Sequence, residues 1–505
     1  MSERTRPNVL LMIADDCGRE LGFNGNRAIR TPRLDALAAE GVSFDQAFCT
    51  TASCSPSRSV IYSGLHNHQN GMYGLNHGIN FFHTFPWVRT LPRIFNEAGY
   101  RTGIINKVHV GGRETYPFTL YADGHSRDGQ AIARQAADFF HGKSPFFLVI
   151  GYVDPHRDDT RGGFGNRDYP GIDRHVYDPS AIQVPSYLPD LPEVRRELAA
   201  YYESIDRLDQ GVGMVLDGLQ RSGHADDTLV VFLSDNGPPF INSKTTLYDA
   251  GIHLPLLMRI PGGPRGIRNP NLVSYIDLLP TFMDFAGIAP LPAPAANASD
   301  AAQTAYDADR KRRGRSLLPI AASAAPQPGW DHIHASHSFH EITNCYPVRV
   351  LRDRRYKYCK NVFWRLDFPF ALDLYVSQTW EAVKRSRLPI GNRSAHDYIR
   401  RPLEELYDLA TDPDECHNLA GDPTHADRLR TMRSQVEAFQ METEDPWLLR
   451  DGVNLLHARR HQQEGLVIPD SHDMQYPGSE TTDPMTADLS GWMPGSGRPT
   501  QTPQR

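Results

Sequence analysis

The chain has 505 residues, more than one hydrophobic core usually holds, because single cores stop growing near ~250–300 residues, so a larger and a smaller domain are expected. Apolar residues make up 40%, an ordinary value for a globular protein. The net charge of −7 argues against a general nucleic-acid binder, which needs a basic face to displace phosphate counterions, and no run approaches the ~20 apolar residues that span a bilayer.

In chain order, the first element is the apolar run NVLLMIA (8–14), which ends on Asp15 and Asp16 and reads as a strand rather than a secretion signal. TPRLDALAAEG reads as a helix, with Thr31 as N-cap, Pro32 as first helical residue and Gly41 as the stop. CSPSRSVIYSG is a second helix start, in which Ser55 is expected to cap a helix whose first residue is Pro56. LPRIFNEAGY is helical, and RTGIIN is a strand followed by Lys107 and His109. PFFLVIGYV is a strand followed by Asp154 and His156. A long amphipathic segment from Tyr201 to Gly223 precedes the strand TLVVFLS, which ends on Asp235 and Asn236.

Such continuous apolar runs suit strands buried on both faces, so the expectation is an α/β fold with a mainly parallel sheet sandwiched by helices. Ligands of open α/β sheets bind beyond the carboxyl ends of the strands, where all four polar clusters fall. Residues 286–330 turn Ala/Pro-rich and read as a surface insertion, with RKRRGR as a solvated basic loop. The alternation in YPVRVLRDRRYKYCKN predicts an antiparallel hairpin opening a smaller C-terminal domain. The expected boundaries are 1–345, 346–450 and an extended tail over 451–505.

The six cysteines are scattered, without zinc-type spacing or the density of a disulfide scaffold. Asp15, Asp16, Asp235 and Asn236 offer three carboxylates and an amide oxygen, the ligand set of a hard cation such as calcium or magnesium. Taken singly, each motif also reads as a turn or a helix cap; their shared place at strand ends favours metal. Cys54 stands at the positive end of a helix dipole with Arg58 one turn on, a place for a nucleophile and an oxyanion. A Cys-dependent phosphatase would need five residues between Cys and Arg, where this chain has three, and a thiolate beside three carboxylates would be disfavoured.

CSPSR resembles the signature of the formylglycine-dependent sulfatases, of the alkaline phosphatase superfamily. The runs ADD, KVH, DPH, SDNG and LYDLATDPDECHNLA follow in the order of that family. The resemblance implies a fold of a large α/β domain with a smaller antiparallel-sheet domain, and an enzyme whose Cys54 is oxidised to formylglycine. It places the cation, Ca2+ with Mg2+ or Mn2+ as alternatives, on Asp15, Asp16, Asp235, Asn236 and residue 54. It implies Arg58 as the holder of the formylglycine hydrate, Lys107 and Lys244 as sulfate contacts, His109 as base and His156 as proton donor to the leaving group. The implied cycle is attack of one hydrate oxygen on sulfur, then expulsion of sulfate by the second, so that release is intramolecular.

Within the family, CSPSRSVIYSGLHNHQNGMYGLNH, SHSFHEITNCYPVR and ETEDPWLL resemble the N-sulfoglucosamine sulfohydrolases, although Lys244 replaces the Arg expected there. This implies removal of the N-sulfate of terminal N-sulfoglucosamine in heparin-like glycans. The alternatives are an O-sulfatase and a phosphonate or phosphodiester hydrolase. His340, Glu341 and Arg349 are implied to line the sugar pocket. A zinc reading of His332, His334, His337 and His340 is disfavoured, because HSFHE reverses the zinc-protease order. The partners implied are a sulfated sugar and a formylglycine-generating enzyme, with neither nucleic acid nor membrane, and a homo-oligomer is allowed. A cytoplasmic, bacterial setting is expected.

Overall fold

The computed structural model describes residues 6–142, 145–160, 163–295 and 297–448; the tail expected over 451–505 lies outside them. Eight strands form the larger sheet: β1 (Asn8–Ala14), β2 (Val42–Phe48), β3 (Arg101–Asn106), β4 (Leu120–Asp123), β5 (Phe146–Gly151), β6 (Thr228–Ser234), β7 (Leu256–Arg259) and β8 (Ile267–Ser274). Their order is β4-β3-β5-β1-β6-β7-β2-β8, and β7 alone runs antiparallel to its neighbours. The sheet is thus mainly parallel, as the apolar runs predict. β1 is buried at every residue, so both faces of the sheet are covered.

The four strands that end in polar clusters, β3, β5, β1 and β6, are adjacent and mutually parallel. Their last residues are level: Ile13 pairs with Gly151, Ala14 with Ser234 and Asn106 with Gly151. Whatever follows these strands therefore emerges side by side on one edge. Gly151 is needed there, because a Cβ would lie 2.0 Å from the Lys107 carbonyl oxygen, whose own N–H donates to the Gly151 carbonyl at 2.9 Å.

Helix α1 (Pro32–Glu40) has Thr31 as N-cap and ends at Gly41, as expected. Helix α2 (Cys54–Ser63) differs from expectation. Its N-cap is Ser53 rather than Ser55, and Cys54 rather than Pro56 is its first residue, because Ser57 N–H already donates to the Ser53 carbonyl. All ten of its residues are buried. The helix Pro192–Arg221 extends nine residues upstream of its sequence-read start, and its Glu197 receives Arg157 at 2.9 Å.

The second sheet has the order β12-β11-β10-β9, all antiparallel, from β9 (His332–Phe339), β10 (Cys345–Asp353), β11 (Tyr356–Asn361) and β12 (Glu404–Asp408). The expected hairpin is β10–β11. The sheet starts with β9, however, inside the stretch 1–345 that the sequence reading gave to the larger domain. The basic run 310–315 is also less solvated than expected. Arg312 is largely buried, donating to the Ser63 and Arg89 carbonyls, and Lys311 and Arg313 pair with Glu444 and Glu442. Among the described residues, no helix is long and apolar enough to cross a membrane.

Candidate active site

Asp15 and Asp16 can serve one site only if the chain turns as β1 ends. It does: Asp16 takes φ 65°, and its N–H donates to Asp235 Oδ1 at 3.1 Å. Asn106, His109 and Thr245 around the same edge also have positive φ, at 70°, 57° and 67°. Such backbone is costly for residues other than glycine, most of all for β-branched Thr245, and clusters where side chains must be aimed.

Two buried charge networks meet here. In the first, Arg58 Nε donates to Asp235 Oδ2 at 2.8 Å, and its Nη2 lies 3.8 Å from Asp15 Oδ1. Lys107 Nζ pairs with Asp15 Oδ2. In the second, Lys244 Nζ donates to Asp16 Oδ2 at 2.9 Å and to Asp373 Oδ2 at 2.8 Å, and lies 3.2 Å from His156 Nε2. His156 Nδ1 donates to the Arg157 carbonyl at 2.6 Å, which leaves Nε2 facing the site.

Burial and then the charge of Asp15 push Asp235 up to about 7. Burial would raise Asp15 as well, but Lys107, His156 and Arg58 outweigh it and hold that carboxyl well below its usual range. Burial, then Lys244, lowers His156 below the usual imidazole value. Burial works against the Lys244 ammonium, yet Asp16 and Asp373 keep it charged. Burial and Lys107 lower His109, whose Nε2 lies 2.5 Å from His77 Nδ1.

Cys54 Sγ and one oxygen each of Asp15 and Asp235 lie within 4.8 Å of one another. Burial, followed by Asp15, drives the Cys54 thiol far up, so this sulfur is not a thiolate. Asp15 Oδ1 and Asn236 Oδ1 are buried acceptors with no hydrogen-bond partner among the described residues. An orphaned buried oxygen normally costs about 1–3 kcal/mol. Two of them on residues that follow neighbouring strands, with the Asp235 carboxylate beside Asp15, fit a hard divalent cation bound by oxygen. The residues therefore fit a metal centre.

Of the substrate-pocket residues expected from the sequence, His340 reaches the site: its Nδ1 lies 2.8 Å from the Oγ of Ser53, the cap of α2. Glu341 accepts from the Asn344 side chain and from Leu372 N–H at 3.3 Å, which brings the segment carrying Asp373 close. Arg349 is placed elsewhere. It is buried in a two-pronged pair with Asp445 and donates to the His337 carbonyl at 2.9 Å. Among the described residues, the groups close enough to share a metal are Asp15/Cys54/Asp235 and Asp16/His156/Asp373, so none of the four clustered histidines takes part. Asp373 and His77 have no signal in the sequence; only the fold brings them in.

A family model described as Sulfatase matches residues 7–288. The human N-sulphoglucosamine sulphohydrolase is 39% identical over 481 residues, covering 89% of this chain and 93% of that protein. Among solved structures, a 2-O GAG sulfatase superposes with a TM-score of 0.63 at 21% identity, covering 88% of this chain and 93% of the other. A protein solved in complex with its substrate D-glucosamine-2-N,6-O-disulfate superposes with a TM-score of 0.62 at 19% identity, covering 87% and 99%. The two superpositions speak to the fold.

Proposed function

This chain belongs to the sulfatase family, and from that premise we propose that it hydrolyses the N-sulfate of terminal N-sulfoglucosamine in heparin-like glycans. Residue 54 acts as formylglycine, and calcium would be held by Asp15, Asp16, Asp235, Asn236 and residue 54. The observation that carries this reading is the environment of Cys54, buried at the start of α2 within 4.8 Å of two carboxylate oxygens. That place disfavours a thiolate and suits a neutral hydroxyl beside a cation. The human relative, named for N-sulfoglucosamine, supports the substrate.

A bound cation would supply positive charge to the sulfate oxygens and acidify a coordinated hydroxyl. Arg58, locked on Asp235, orients residue 54. Lys107 and Lys244 stand on the two sides of the carboxylate cluster, ready to take sulfate oxygens. His109 faces the strand-end edge as base. His156 presents Nε2 to the leaving group, and the incoming sulfate, like Asp16 and Asp15, raises its hold on a proton. In the chemical step, a hydroxyl of residue 54 gives its proton to His109 as its oxygen bonds sulfur, the S–N bond breaks, and nitrogen keeps the pair and takes the proton held by His156. The second hydroxyl of residue 54 then gives its proton to the now neutral His156, the aldehyde C=O reforms as the C–O bond to the sulfate ester breaks, and sulfate leaves with that oxygen.

This reading includes a maturation enzyme. Because α2 is buried throughout, CSPSR is accessible to such an enzyme only before folding is complete. Mass spectrometry of the peptide covering residues 50–64 should show a loss of about 18 Da relative to cysteine. Turnover of N-sulfoglucosamine, an aryl sulfate and an aryl phosphonate should be compared on the same sample. Unmodified Cys54 with full activity overturns the nucleophile; exclusive phosphonate turnover overturns the substrate.

A further inference from the structure

Asp373 belongs to no motif, yet it stands beside His156, the proton donor of the reading given above. It lies on the short helix Leu372–Tyr375, between β11 and β12 of the smaller sheet, and reaches back to the strand ends of the larger one. One of its oxygens, one of Asp16 and a ring nitrogen of His156 lie within 4.8 Å of one another. Its side chain is 21% exposed, whereas Asp16 and Lys244 are almost fully enclosed. It is held in place: Oδ1 accepts from Leu374 N–H at 2.9 Å, and Leu372 N–H donates to Glu341.

Its countercharge is shared with a second carboxylate. Lys244 serves both Asp16 and Asp373. A sulfate oxygen arriving at Lys244 competes for that ammonium, and Asp373 is left beside His156 with negative charge to spare. The two classes of leaving group respond oppositely. A sulfamate nitrogen accepts its proton early and carries positive charge as the S–N bond breaks; the free amine then takes a second proton and becomes an ammonium. An ester oxygen gathers negative charge until its proton arrives and ends neutral. A carboxylate at this point stabilises the first course and disfavours the second.

We propose that Asp373 is a specificity-determining residue, whose carboxylate receives the positive charge of an amine leaving group and turns the site toward sulfamates over sulfate esters. The assignment rests on the N-sulfate reading given above. It also explains why a carboxylate from the smaller sheet region is brought against the proton donor of the larger.

The test uses full-length enzyme with residue 54 converted. In Asp373→Asn, kcat/KM for N-sulfoglucosamine should fall on the order of 10- to 100-fold, as for a lost charge-assisted contact, with a loss on an aryl sulfate about tenfold smaller. Asp373→Glu should recover part of the N-sulfate activity. Equal proportional losses on both substrates overturn the assignment while leaving the N-sulfate reading intact. Wild-type enzyme that cleaves the aryl sulfate but not N-sulfoglucosamine overturns both. A comparison on wild-type enzyme needs no variant: glucosamine, a cation, should inhibit about tenfold better than neutral N-acetylglucosamine. Equal inhibition by the two sugars also overturns it.

Discussion

Arg58 and Arg349 are both shut away from solvent, and both face carboxylates, but their surroundings are built differently. Around Arg58, at the strand ends of the larger sheet, Arg58 Nη2, Asp15 Oδ1 and Asn236 Oδ1 lack hydrogen-bond partners. Arg349, on β10 of the smaller sheet, is saturated. Nε and Nη2 bind Asp445, and Nη1 donates to the His337 and Val348 carbonyls. Asp445 in turn accepts from Gln440 and from Trp447 N–H. A closed set of partners holds structure together, whereas an open set at equal burial is tolerable only where a ligand completes it.

The largest effect expected from this contrast is on stability. Arg349→Met leaves Asp445 buried and unpaired, and should lower the unfolding free energy by about 3–5 kcal/mol in urea, with kcat per folded molecule unchanged. A loss of kcat in fully folded protein would return Arg349 to the sugar pocket. The same pair sets an acid limit. Burial opposes the Asp445 carboxylate, but Arg349 holds its pKa below the ordinary value, so its contribution is full above the unfolded pKa of ~3.9 and fades as pH falls below it. Acid unfolding curves of wild type and Arg349→Met should therefore converge as pH drops.

Next comes the open set. Arg58→Lys keeps a charge but loses the fork that reaches Asp235 and Asp15, and kcat should fall by about 10²–10³ at a nearly unchanged melting temperature. Calcium at a hundred times its Kd should stabilise the wild type by about 2.7 kcal/mol, a gain that Asp15→Asn should largely abolish in calorimetry. The smallest effect is at a helix cap outside both charge networks. Asp128 accepts from Ala131 N–H at a helix start, so Asp128→Ala should cost about 1 kcal/mol and leave turnover alone.

Much of the site was legible before any fold was known. β1, β3, β5 and β6 are short apolar runs, and the polar residues that follow them must leave the sheet at the same edge if the strands are parallel. Asp15, Asp16, Lys107, His109, His156, Asp235 and Asn236 became candidates in this way or through the family motifs that contain them. The cap of α2 was misplaced by two residues, because Ser53 and Ser55 are equally good caps by composition. The pairing of Arg349 was not legible, because its partner Asp445 lies 96 residues away.

By itself, then, the amino-acid sequence determined the local part of the design: which runs are strands, where each ends, and which charged residues stand at those ends. Backbone sterics and hydrophobic burial act over a few residues, so they can be read from neighbours in the chain. Only the tertiary structure decided which charges meet. It set β3, β5, β1 and β6 side by side, brought Asp373 to Lys244 across 129 residues, and closed Asp445 on Arg349 while leaving Asp15 and Asn236 open. Such pairings depend on electrostatics and packing between segments remote in sequence, and no local pattern encodes them.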